Sequence, residues 1–124
     1  MMNVNAFWED IISQNRNRLL SYFHDDAVIR WHCTNEQFTP TEYVSVNCDY
    51  PGKWDGTIER IEDFGSLVII VGRVVSKDDR FSFHVCSFIR LVGDLISELD
   101  EYWSDDEEPP LWRKDKGIGK PIMQ

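Results

Sequence analysis

The stretch Glu98-Leu-Asp-Glu-Tyr-Trp-Ser-Asp-Asp106 sets carboxylates beside large aromatic side chains on a segment patterned as a strand, which is the chemistry of a small-molecule pocket. A tight turn at Gly93-Asp94 pairs this segment with the one before it, in a register where Cys86 faces Glu101 and His84 faces Trp103. One face of the hairpin then carries His84, Cys86, Phe88, Leu99, Glu101 and Trp103, and the other Val85, Ser87, Ile89, Glu98, Asp100 and Tyr102. Two carboxylates two residues apart on one face repel each other and favour water, whereas a single Glu amid Leu, Trp and Phe suits a pocket. The first set is therefore expected inside, and a one-residue slip would exchange the two.

In that register His84 and Glu101 are diagonal neighbours, roughly 7–8 Å apart at their α-carbons and within reach of a direct or water-linked contact. Such a pair can remove a proton from a substrate carbon and return it, because burial raises a carboxylate's pKa and imidazole titrates near neutrality. Phe88, Leu99 and Trp103 would exclude water around it. The same pair can also be purely structural, each side chain satisfying the other. Trp31, Trp54 and Trp103 can wall a flat apolar ligand or fill a core. Cys86 shares the inward face as a candidate ligand contact, but with no base beside it in sequence it reads as a small hydrophobe and not as a nucleophile.

Other chemistries find no foothold. His24, Asp25 and Asp26 are adjacent and cannot converge easily on one metal ion, and the acidic run from Asp105 to Glu108 lacks the glycine turn of a calcium loop. There is no glycine-rich phosphate loop, Cys-x-x-Cys pair or serine elbow, so no metal and no cofactor is expected.

The elements that must position these groups come in two blocks. Val4, Phe7, Trp8, Ile11 and Ile12 follow the spacing of a helix with one buried stripe, capped by Asn3 or Asn5. Leu19 to Phe23 suggests a second, shorter helical piece, and Ala27 to Cys33 a strand. Thr39, Pro40 and Glu42 form a capping box, so a helix is predicted from Pro40 that ends before Pro51-Gly52. Beyond Trp54 four strands are predicted, roughly 54–63, 66–76, 80–92 and 95–103, joined by short turns into an antiparallel meander. Helices followed by such a sheet make an α+β domain.

Composition limits the partners. The chain of 124 residues fits a single domain, and 42% hydrophobic residues with 5 Trp and 7 Phe are enough to fill a core. A formal net charge of −9 repels nucleic-acid phosphate and anionic lipid, so neither nucleic acid nor membrane is an expected partner. Three unpaired cysteines, an N-terminus without a basic start or apolar run, and no membrane-spanning segment together read as a cytoplasmic protein. Residues 104–124 form an irregular tail whose Trp112 and Arg113 are expected to dock back on the domain.

Phe23-His-Asp-Asp-Ala-Val-Ile29 resembles the helix-to-first-strand junction of the nuclear transport factor 2-like superfamily. Gly93-Asp-Leu-Ile followed by Leu99-Asp-Glu-Tyr-Trp103 is similar to that superfamily's last strand, above all in its SnoaL-like branch, where an acidic group is often found. The likeness spans roughly residues 4–104 in element order. It implies a curved antiparallel sheet wrapped around a helix into a cone with a pocket at its open end, and a homodimer formed through the sheet's outer face. Val85, Ile89 and Tyr102 are expected on that face. Alignment with the ketosteroid isomerases puts their catalytic tyrosine on Phe7, their general-base aspartate on Trp31 and their second aspartate on Cys86 or Ser87, so isomerisation by that mechanism is disfavoured. Phe7 and Trp31 remain candidate ligand contacts. Three functions stay open: a cofactor-free acid–base isomerase, cyclase or dehydratase acting on a small hydrophobic carbonyl compound, a non-catalytic pocket protein, and an association module whose cone is plugged.

Overall fold

In the computed structural model, which describes residues 2–122, three helices stand against one face of a curved six-stranded sheet. Helix α1 (Val4–Ile12) opens at Asn3, whose side chain accepts from the Ala6 amide at 3.0 Å. It buries Phe7, Trp8 and Ile11, the stripe that the apolar spacing predicts. The short α2 (Arg16–Leu19) runs into a 3₁₀ turn at Leu20–Tyr22. Helix α3 (Pro40–Asp49) starts at a complete capping box, with the Glu42 amide donating to Thr39 Oγ1 at 3.2 Å and the Thr39 amide donating to Glu42 Oε1 at 2.8 Å. Gln14, at φ +58° just past α1, donates from its side chain to the carbonyls of Asn47 and Tyr50 and so ties α1 to the end of α3.

The strands are β1 (Phe23–Trp31), β2 (Glu36–Phe38), β3 (Trp54–Asp63), β4 (Leu67–Ser76), β5 (Ser82–Val92) and β6 (Leu95–Asp105), in the sheet order β2-β1-β6-β5-β4-β3. The predicted meander is β3 to β6. What differs is β1, which begins at Phe23 and pairs with β6 in parallel, making the sheet mixed. His24 and the two aspartates after it therefore lie in a strand and not at a helix end. Strand β2 escapes periodicity because three residues are too few to show it.

Two glycines seat α1 on the sheet. A Cβ on Gly72 would lie 2.2 Å from the Trp8 ring, and one on Gly56 2.6 Å from Ile12. Bare backbone at these two points lets the helix lie close against β3 and β4. Trp8, Phe7, Leu19, Ile29, Val68, Ile70, Ile89, Ile96 and Leu99 belong to the core between helices and sheet.

A β-bulge governs which side chains of the last hairpin face that core. Near the turn Leu91 pairs with Ile96, but Arg90 pairs with Glu98, so Ser97 is the extra residue. Gly93 has φ +63° at the first central position of the turn, where a two-residue type II′ hairpin calls for glycine. Beyond the bulge Ser87 faces Glu101, Cys86 faces Tyr102 and Val85 faces Trp103. The expected pairing of Cys86 with Glu101 is thus off by one residue. Val85, Ser87, Ile89 and Leu91 point inward together with Leu99 and Glu101. Without the bulge the inward sets of the two strands could not share a face.

Two further expectations fail on burial. Val85 and Ile89 are inside, and the outer face instead presents Leu67, Ile69, Val71, Val75, Cys86 and Phe88 half-buried beside the exposed Tyr102. Ser104 and Asp105 still belong to β6 and Asp106 bonds to Ser82 and His84, but beyond them the described tail does not dock: Leu111 is 72% and Trp112 63% exposed, within the one-turn α4 (Leu111–Lys114). Pro109 and Pro110 stiffen the chain as it leaves the sheet, and Arg113 stacks on the Trp112 ring at 5.4 Å in place of any partner from the domain.

Candidate functional site

Glu101 occupies the middle of the sheet, flanked across the ladder by Ser87 of β5 on one side and Trp31 of β1 on the other. Only 2% of it is exposed. Trp31 donates its indole N–H to Oε1 at 3.0 Å, and the Ser87 hydroxyl donates to Oε2. Burial pushes the Glu101 carboxyl above the usual glutamate range, against the pull of these two donors. The indole N–H of Trp103 adds a further pull toward the charged form without reaching hydrogen-bond geometry. Nearby, the buried Tyr43 phenol is held well above its ordinary value, first by burial and then by the Glu101 charge.

His84 is not part of this group. The bulge puts it on the outer face, where it pairs with Asp106 and sits 3.3 Å from Glu59. Hydrogen bonding to Asp106 raises the imidazole pKa, opposed by partial burial and helped by the charges of Asp106 and Glu59. The expected His84–Glu101 proton relay is therefore dissolved: Ser87, not Cys86, is the ladder neighbour of Glu101, and the histidine belongs to a separate surface cluster.

The cavity lies at the open end of the cone and measures about 450 Å³. Ile11 and Ile12 of α1, Val46 of α3 and Val74 of β4 line it together with five aromatic rings, those of Trp31, Tyr50, Trp54, Phe83 and Trp103. Tyr50, Trp54, Phe83 and Trp103 touch in succession, with ring centroids 5.6, 5.7 and 6.4 Å apart. The indole N–H groups of Trp54 and Trp103 are buried without partners, and that of Trp31 is engaged by Glu101. What the three indoles offer the lumen is ring carbon.

Of the expected ligand contacts, Trp31, Trp54 and Trp103 line this cavity. Phe7 and Leu99 are fully buried core residues, Phe7 lying edge-on to Tyr22 and Phe23. Cys86 and Phe88 lie on the outer face, for the same reason as His84. Glu101 itself is one side chain removed from the lumen, behind its bond to Trp31. Ser87, Tyr50 and Phe83 join the site unannounced. For Ser87 the signal was in the apolar alternation of Val85, Ile89 and Leu91, which places it inward. Among the described residues no three His, Cys, Asp or Glu side chains cluster as a metal site requires, and no helix is long and apolar enough to cross a membrane.

The sequence matches no family model and no curated protein. Solved structures match it closely in shape. A candidate ketosteroid isomerase from Kribbella flavida DSM 17836 superposes with a TM-score of 0.79 at 19% identity, covering 97% of this chain and 87% of that one. An NTF2-like protein of unknown function from Burkholderia xenovorans LB400 gives 0.77 at 20% identity, covering 96% and 91%. A protein with a ketosteroid isomerase-like fold from Catenulispora acidiphila DSM 44928, solved in complex with trimethylamine, gives 0.70 at 19% identity, covering 82% and 84%. The chain has the nuclear transport factor 2-like cone fold, and at these identities the likeness extends to the fold alone.

Proposed function

We propose that this protein binds a small, largely apolar molecule in the mouth of its cone. The observation that carries this reading is the cavity of about 450 Å³ walled by Trp31, Trp54, Phe83 and Trp103, a volume within the range of small-molecule sites. A plugged cone acting only as an association module fits poorly with such a space. The Catenulispora protein of the same fold was solved with a small organic molecule, which supports the reading by analogy. Binding should be visible as a saturable change in tryptophan fluorescence and a rise in unfolding temperature when small apolar compounds are titrated in. Val46→Trp, which narrows the lumen, should abolish both. A diverse compound set that produces neither response would overturn the proposal.

A second reading rests on Glu101, a carboxyl held protonated more readily than usual and one side chain from the ligand space. If Trp31 swings aside, Glu101 could transfer a proton to or from a bound carbonyl compound. Glu101→Gln would then lower turnover of an identified substrate by roughly 10²–10⁴-fold while binding persists. Turnover that survives the substitution unchanged would leave Glu101 as a residue that positions Trp31.

A further inference from the structure

From the charge around this cavity we infer that its ligand is an organic cation: a quaternary ammonium or protonated tertiary amine on an apolar body. The inference rests on the binding reading above and adds the ligand's charge to it. Glu36 and Asp105 are the two charged residues that line the cavity, and no Lys, Arg or His does so. Their placement follows from the ladder. Glu36 stands directly across from Trp31, and Asp105 directly across from Phe83, so each carboxylate projects from the same face of the sheet as a cavity ring. Both are exposed at the mouth, and neither is ion-paired with a basic side chain among the described residues.

A neutral ligand would gain from the rings and nothing from the carboxylates, and an anion would be repelled by them. A cation gains from both. Its charge is attracted to the ring faces, most strongly to those of tryptophan, and the N–H edges that would oppose it are turned away or bonded to Glu101. The excess of acidic residues, a formal net charge of −9, adds long-range attraction in the same direction.

The test compares three probes of similar shape on the full-length protein by calorimetry: benzyltrimethylammonium, its neutral isostere neopentylbenzene, and the anion benzenesulfonate. The cation should bind roughly ten-fold more tightly than the neutral compound, as one good cation–ring contact or unscreened carboxylate implies, and the anion should not bind. Added salt should erode the cation's advantage. Replacing both carboxylates, Glu36→Gln with Asp105→Asn, should shrink the cation's advantage several-fold, to the part the rings supply, without changing the affinity of the neutral compound, and both sites are exposed enough to leave folding intact. Equal or tighter binding of the neutral compound, or a preference for the cation undiminished by the double substitution, overturns the inference while the cavity keeps its binding role. Binding by none of the probes removes both.

Discussion

At the residue scale, two ionisable groups lean in the same direction for different reasons. Glu101 is raised by burial, so its favourable contribution is complete below its ordinary value of 4.5 and is lost as pH rises through the folded value. Glu101→Gln keeps an acceptor for Trp31 and removes the titration. The variant should therefore gain stability relative to the native protein as pH climbs from 4.5 toward neutrality, read as unfolding temperature at a series of pH values. Glu101→Ala should do the opposite at every pH, costing about 1–3 kcal/mol for each buried donor it orphans, the Trp31 indole and the Ser87 hydroxyl. His84 is raised above 6.5 chiefly by its bond to Asp106, so its contribution is complete below 6.5 and fades as pH rises through the shifted value. Melting curves of His84→Ala should lack that decline between slightly acidic and alkaline pH, and an unaltered decline would assign it to another group.

At the element scale, much of the architecture could be read before folding. The Thr39 capping box locates α3 to the residue, and the stripe from Val4 to Ile12 names the buried side of α1. Strands β3 to β6 follow their turn residues closely. The facing of β5 could not be read from the turn, because one extra residue at Ser97 changes the pairing downstream and carries no compositional mark. That single bulge is why Glu101 is inside as its neighbours suggest while His84, Cys86 and Phe88 are not. The glycine seat offers a sharper check on how the helix meets the sheet. Gly72→Ala sets a methyl 2.2 Å from the Trp8 ring in a packed interior, so an overpacking loss of about 1–3 kcal/mol is expected in denaturant unfolding. Pairing it with Trp8→Phe should recover part of that loss, and full additivity of the two changes would show that helix and strand do not meet there.

For the whole molecule, the outer face of the sheet is more apolar than an isolated sheet face requires, with Leu67, Ile69, Val71 and Val75 on β4 alone. We expect a second copy to cover it, giving twice the chain mass by light scattering at micromolar concentration. Replacing Ile69 and Val71 by lysine should return the mass to that of one chain. The tail was illegible because its Trp112 and Arg113 look like anchors in one dimension, whereas in the fold they partner each other. A last consequence follows from the parallel pairing of β1 with β6. Trp31 leaves the ribosome 70 residues before Glu101, so the bond between them must wait until β6 is made. Every strand from β3 to β5 can find its neighbour within a hairpin, but the pairing of β1 with β6 closes the longest loops in the sheet. The ligand space is therefore complete only once β6 is made, and a nascent chain stalled before it holds a β1–β2 pair without the central strand that joins it to the meander.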